Sequence, residues 1–302
     1  MTTTVASLSF PNPIMAASGT AGYGAELTSY LDLSALAAVV TKSLSPEPWQ
    51  GNPAPRVHET AGGMVNSVGL AGPGIDRWLE DELPKLVATG ARVVASIWGR
   101  TVGEYERAAD KMAYAPPEVV AVEVNISCPN LEDKKRMFSH SAAATDEVIR
   151  ATESCGRPRW AKLSPNITDI VPIAVAAADA GAEAVTLINT VAAMVIDVES
   201  RRPLLGAGRG GLSGPAIKPI AVRAVYDVHE VLPHLPIVGV GGVASGLDVI
   251  EFLLAGARAV QVGTATFADP RTTGRLVDEV SRWCAEHQVT DLGELIGAAH
   301  HK

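Results

Sequence analysis

Eight short apolar runs rich in β-branched residues recur along the 302-residue chain, and most are followed by a stretch with helical periodicity. The runs cover residues 14–17, 38–41, 92–97, 119–125, 159–163, 184–188, 236–240 and 259–262. They are continuous rather than alternating. That pattern belongs to strands buried on both faces, as in a parallel sheet covered by helices. Helical patterns occupy 75–89, 102–114, 145–155, 169–180, 215–232, 245–255 and 271–287, with a weaker one at 25–31. Eight βα units in a chain of this length predict an α/β fold, a closed (β/α)8 TIM barrel. A doubly wound open sheet is the alternative. Residues 4–10 alternate weakly and predict a short N-terminal β-hairpin. No linker divides the chain, so residues 1–302 are expected to form one domain, with a frayed tail from Gly297 to Lys302.

Three of the βα connections are long: 42–74, 127–144 and 189–214. All three follow strand carboxyl ends, so all three are expected to crowd the C-terminal face of the barrel as lids and pocket walls. The composition suits tight helix-on-sheet packing, with 47% hydrophobic residues but only 5% aromatic. A formal net charge of −8 argues against a nucleic-acid partner. The three cysteines, Cys128, Cys155 and Cys284, show no CxxC or CxxH spacing, which excludes a disulfide scaffold or a zinc site and predicts no metal. A reduced, cytoplasmic protein is expected. The N-terminus carries no secretory pattern, and no run of ~20 apolar residues predicts a membrane span.

The chemistry-bearing residues gather at the ends of these strands. Asn125-Ile-Ser-Cys-Pro-Asn130 follows the fourth run, and its Cys128 could be a nucleophile, a general base or a buried spectator. Gly241 and Gly242 follow the seventh run and are expected to expose N–H groups at a helix N-terminus. Gly263 and Thr264 follow the eighth, and the loops after strands seven and eight form the usual phosphate site of such barrels. The cluster 206–211 superficially resembles a dinucleotide fingerprint, but no strand precedes it, so a mobile lid segment is expected instead. Lys42 and Lys162 end apolar strands and would hold positive charge over an anionic ligand. Asn66, Asn125, Asn130, Asn189 and Thr190 offer uncharged donors and acceptors, which match a small heterocycle bearing carbonyl and N–H groups. His58, His140, His229, His234 and His287 are read as surface residues. Trp49 is read as loop packing, and Cys155 and Cys284 as inert.

Several motifs, in order along nearly the whole chain, resemble the dihydroorotate dehydrogenase family. They include 12–19, 41–43, 51–56, 66–70, 125–130, 162–166, 188–190, 211–215, Gly241-Gly242 and Gly263-Thr264. The phrase 61–70 is most similar to the class 1B, NAD-linked catalytic subunit. The resemblance implies FMN at the barrel mouth and oxidation of dihydroorotate to orotate in pyrimidine synthesis. It implies flavin contacts from Ser18, Lys42, Ser43, Ser96, Asn125, Lys162, Ile188, Gly214, Gly241, Gly242, Gly263 and Thr264. Substrate contacts are implied for Lys42, Asn66, Ser67, Val68, Gly69, Leu70, Asn125, Asn130, Asn189 and Thr190. Cys128 would be the catalytic base, and a thiol of ordinary pKa ~8.5 is partly ionised near neutrality.

No iron–sulfur cysteine set or NAD fingerprint is present, so the class 1B resemblance implies a partner subunit carrying FAD and a [2Fe–2S] cluster, beside a homodimer of this chain. The alternatives are a fumarate-using, class 1A-like homodimer, a flavin oxidoreductase of another dihydropyrimidine, and a flavin-free phosphate-binding isomerase or lyase. The chain departs from the family pattern at Ala71-Gly72, at Ser96 and in the charged segment 131–138.

Overall fold

The computed structural model describes residues 1–23, 25–127 and 137–300; Cys128 and Asn130 lie outside the described residues. A hairpin of β1 (Thr3–Val5) and β2 (Leu8–Phe10) precedes the barrel strands β3 (Ile14–Ala16) and β4 (Ala38–Val40). The chain then leaves the barrel for β5 (Val57–Thr60) and β6 (Gly63–Asn66). It returns for β7 (Val93–Ile97), β8 (Val119–Asn125), β9 (Arg159–Leu163) and β10 (Ala184–Leu187). A second excursion carries β11 (Val191–Ala193), β12 (Ile196–Asp197), β13 (Arg202–Pro203) and β14 (Gly210–Ser213) before β15 (Ile237–Val240) and β16 (Ala259–Val262). Strands β3, β4, β7, β8, β9, β10, β15 and β16 close into a parallel barrel in that order. The eight strands fall where the apolar runs predict them.

Side chains alternate along each strand, so every barrel strand feeds two cores. Outward residues such as Val39, Val93, Val122, Val124, Val185 and Val260 pack under the helices. Inward residues Met15, Val40, Val94, Ala121, Trp160, Val238 and Ala259 fill the barrel and continue into Val5 and Phe10 of the hairpin. Phe10 meets Trp160 edge-on at 6.2 Å. The hairpin therefore plugs the amino-terminal end of the barrel with apolar side chains, and the opposite end is left for polar chemistry.

Most helices form where periodicity predicts, and the departures have local causes. Ser141 caps Ala142–Ala151 by accepting from the Ala144 N–H, so this helix starts three residues before its apolar pattern. The helix over 75–87 contains a π turn at Trp78–Glu82. Pro84 follows immediately and has no N–H to donate to Glu80, which favours the wider turn. The weak pattern at 25–31 yields only a 3-10 turn at Ala25–Leu27. The tail is docked through residue 300, against the expected fraying: the Gly297 N–H donates to the Leu253 carbonyl at 3.0 Å, and His300 stacks on Tyr226 at 3.7 Å. His229 packs beside His300 at 5.0 Å and is half-buried, unlike the exposed His58, His140, His234 and His287. Among the described residues no helix is long and apolar enough to cross a membrane.

The two excursions build one antiparallel sheet, β11-β14-β6-β5, over the mouth. Gly211 pairs with Asn66, joining segments 145 residues apart. Residues 206–211, expected as a mobile lid, are thus fixed: Gly210–Ser213 is a central strand, and the Gly206 N–H donates to the Pro55 carbonyl at 2.8 Å. The strand runs so close to its neighbours that a Cβ on Gly211 would collide with the Thr190 side chain. Trp49 anchors the first excursion. Its Nε1 donates to the Gly69 carbonyl at 2.9 Å, and the Arg100 guanidinium lies 4.3 Å over its ring.

Candidate active site

Inside the barrel, polarity rises toward the carboxyl end of the strands. Two residues beyond the apolar layer, the inward positions become Ser96, Glu123, Lys162, Thr186 and Gln261, all buried. Glu123 is fully buried in a strand that otherwise reads as apolar. Its carboxylate accepts from Gln261 Nε2 at 2.7 Å, Thr186 Oγ1 at 3.0 Å and Lys162 Nζ at 3.4 Å. Burying a carboxylate is costly unless donors surround it, and here three do. Lys162 lies between this carboxylate and the cavity that it lines from below.

The cavity opens at the mouth, and most of the predicted residues line it. From the flavin set these are Ser18, Lys42, Ser43, Asn125, Lys162 and Ile188, together with Gly214, Gly241, Gly242, Gly263 and Thr264. From the substrate set they are Asn66, Val68, Gly69, Leu70, Asn189 and Thr190. Two predicted residues stand behind the wall. Ser96 is fully buried and reaches the cavity only through Ser43, 2.8 Å away between hydroxyl oxygens. Ser67 turns its hydroxyl to Asn52 Nδ2 at 2.8 Å and holds the 66–70 loop rather than facing inward. Sequence reasoning missed Thr20, Val57, Met64, Ser213 and Phe267 in the lining. Met64 and Ser213 pair across β6 and β14, a contact that no local pattern announces.

Amides and hydroxyls are tied into a fixed array. Asn125 Nδ2 donates to Ser43 Oγ at 3.1 Å, and Asn189 Nδ2 donates to Asn125 Oδ1 at 3.3 Å. Asn166 braces the same wall, since its Nδ2 donates to the Thr190 carbonyl at 3.0 Å and its Oδ1 accepts from the Ala192 N–H at 2.7 Å. Ser127, which precedes Cys128 in sequence, donates from its N–H to Asn125 Oδ1 at 3.3 Å. On the far side of the segment 128–136, the Ser139 N–H donates to the Ile126 carbonyl at 3.0 Å and Phe138 is buried against Tyr105.

Lys42 is electrostatically different from Lys162. Burial pushes its ammonium below the usual lysine range, and the nearby Arg56 pushes it the same way. Among the described residues no carboxylate forms an ion pair with it. A half-buried cation facing a cavity without a counter-charge favours an anion there.

The glycine turns form a cradle, though not the one expected. The helix after β15 begins only at Gly246, and the N–H groups of Gly246 and Asp248, like those of Ala244 and Ser245 just before it, are already used. Asp248 Oδ2 accepts from Ala244 and Ser245, Ser245 Oγ accepts from Asp248, and Glu279 accepts from Gly246. Donors for an anion therefore come from the strand-end turns instead. Among the described residues, the N–H groups of Gly241, Gly242, Gly263 and Thr264 donate to no backbone carbonyl. Gly242 has φ of 77°, and a Cβ there would lie 2.7 Å from Lys218 Cβ and 2.9 Å from the Gly214 carbonyl oxygen. Only glycine fits that turn. Turn N–H groups without a carbonyl partner, lining a cavity that also holds two lysines, fit the phosphate of a nucleotide-like group.

A (β/α)8 barrel with a cradle of turn N–H groups, two lysines and an amide wall at its C-terminal mouth has the build of an enzyme of the barrel class. Comparison with known proteins narrows that class. The chain belongs to the dihydroorotate dehydrogenase family, whose profile matches residues 1–283. It is 46% identical over 295 residues to the catalytic subunit of dihydroorotate dehydrogenase B (NAD(+)) of Geobacter sulfurreducens, covering 97% of this chain and 96% of the relative. It is 48% identical over 297 residues to the protein of the same name from Desulforudis audaxviator, covering 98% and 96%.

Proposed function

We propose that the chain is the catalytic subunit of an NAD-linked dihydroorotate dehydrogenase, oxidising dihydroorotate to orotate in pyrimidine synthesis with FMN in the barrel mouth. One observation carries this proposal: the glycine-turn cradle, the two lysines and the amide wall line a single cavity. Bound FMN would supply a two-electron acceptor for the hydride leaving C6 of the substrate. Gly241, Gly242, Gly263 and Thr264 would hold its phosphate through backbone N–H groups. Ser18, Ser43, Ile188 and Gly214 would bound its ring system, with Ser96 acting from behind Ser43. Lys162 would place positive charge beside that ring system, where negative charge accumulates on reduction.

The substrate is a ring of alternating carbonyl and N–H groups bearing one carboxylate. Asn66, Asn125, Asn189 and Thr190 can match those donors and acceptors, because an amide presents both without charge. Lys42 would take the carboxylate, and pairing would restore its depressed pKa. The 66–70 loop would cover the ring, with Asn130 contributing from the following loop. Cys128 would remove the C5 proton as general base. Its neighbour Ser127 is tied to Asn125, so the base would be set by the same amide that holds the ring.

Electrons would leave through a separate subunit carrying FAD and a [2Fe–2S] cluster, in keeping with the name "catalytic subunit" of the relatives. The chain would act as one domain, in a homodimer, in the cytoplasm. The test is anaerobic mixing of the purified chain with dihydroorotate. A yellow protein bleached by dihydroorotate and not by dihydrouracil supports the proposal; a chain that cannot be loaded with FMN sinks it.

A further inference from the structure

We infer that Glu123 is a positioning residue that sets, through Lys162, how much positive charge the site presents to the flavin. The inference rests on the function proposed above. Four strands converge on this one carboxylate: β8 supplies Glu123, β9 Lys162, β10 Thr186 and β16 Gln261. All four side chains point inward and are buried; Lys162 lines the cavity floor and the other three lie beneath it. The barrel interior could have been filled there with apolar side chains, as it is in the layer below. Removing an ion pair from water is costly, so a charged pair at this depth adds little stability over an apolar filling. It does supply a fixed field.

The geometry shows how that field is set. Glu123 Oε2 is tied by two neutral donors, Gln261 at 2.7 Å and Thr186 at 3.0 Å. Its contact with the Lys162 ammonium through Oε1 is longer, at 3.4 Å. The carboxylate is therefore anchored mainly by the barrel wall and only partly spent on the lysine. An ammonium has three donor hydrogens, and one directed at Glu123 leaves two for the cavity above. The floor is a balanced pair whose positive end faces the ligand. Without the carboxylate it would present a full uncompensated charge. With a more tightly held lysine it would present less.

The test compares the affinity of the FMN-loaded chain for reduced against oxidised flavin, read as the midpoint potential by dye equilibration. Glu123→Gln keeps the shape and removes the charge. With its side-chain amide flipped, Gln261 can then accept from the new amide through Oε1, which has no partner among the described residues. The variant is expected to favour reduced flavin by on the order of tenfold, a rise of roughly 30 mV for a two-electron couple. Thr186→Val strips one donor from an intact carboxylate, strengthens its hold on Lys162 and shifts the ratio the other way, by roughly threefold. In a Lys162→Met background Glu123→Gln is expected to have no effect, because its route to the flavin is gone. An unchanged potential in Glu123→Gln, or an equal shift in the Lys162→Met background, refutes the inference while the flavin reading stands. Should Glu123→Gln not fold, the sign of the Thr186→Val shift decides. A wild-type chain that takes up no FMN overturns the proposed function, and the inference with it.

Discussion

Replacing Lys42 by methionine should make the ligand-free protein more stable and the enzyme worse. The side chain is half-buried at the end of β4, and burial together with Arg56 lowers its pKa. A lowered lysine pKa means that the folded state holds its proton less tightly than the unfolded chain. The resulting cost to stability is fully present below the folded pKa and disappears as pH rises toward the unfolded value of about 10.5. Methionine keeps the stem and removes the charge, so the ligand-free variant should melt higher than wild type at pH 7. The gain should shrink at alkaline pH, where the wild-type ammonium is already neutral. Catalysis should move the opposite way. A charge-assisted contact to the substrate carboxylate contributes about 1.5–3 kcal/mol, so kcat/KM for dihydroorotate should fall roughly 10- to 140-fold. Thermal melts with and without orotate, beside steady-state kinetics, check both halves. A variant that melts lower than wild type without ligand, or that keeps full kcat/KM, refutes this account of Lys42.

Other outcomes follow from the same geometry. Cys128→Ser should cut turnover about 10²- to 10⁴-fold with FMN content unchanged, measured by absorbance after gel filtration; loss of the flavin would contradict a role limited to proton transfer. Gly242→Ala forces a Cβ against Lys218 and the Gly214 carbonyl at a φ of 77°. It should cost about 1–3 kcal/mol and weaken FMN binding, checked by melting and by titration of the apoprotein. Asp248 is pushed up by burial but held below the usual carboxylate range by Lys218 and the Ala244 and Ser245 N–H groups. Its stabilisation is present above the unfolded pKa near 3.8 and is lost as pH falls through the lower folded value. Asp248→Asn should therefore melt lower than wild type at pH 7, by about 1–2 kcal/mol, and match it in strong acid.

The barrel was legible from the chain because buried parallel strands leave a local signature. Runs such as 119–125 and 259–262 are rich in apolar residues on both faces, with one or two polar residues near the carboxyl end. The site was legible to the extent that it sits at strand ends. Lys42, Asn125, Asn189 and Gly263 stand just past the last apolar position of their strands and Lys162 one residue before it, and a barrel sends such residues to its mouth whatever the loops do. Ser96 and Ser67 show the limit. Each has the right sequence neighbours, yet one is buried behind Ser43 and the other turns to Asn52.

The sequence by itself determined the strand count, the helices between them and which strand ends carry polar groups, since these depend on periodicity within a few residues. Tertiary structure decided the rest. The sheet over the mouth joins Asn66 to Gly211, and its short, glycine-rich strands have no pattern until they pair. The turn N–H groups that line the cavity lie at the strand ends rather than at a helix terminus, where Glu279 and Ser245 already accept from Gly246 and Asp248. Glu123 carried no signal within its apolar run. Its meaning comes from Lys162, Thr186 and Gln261, which are 39, 63 and 138 residues away and meet it only when the barrel closes.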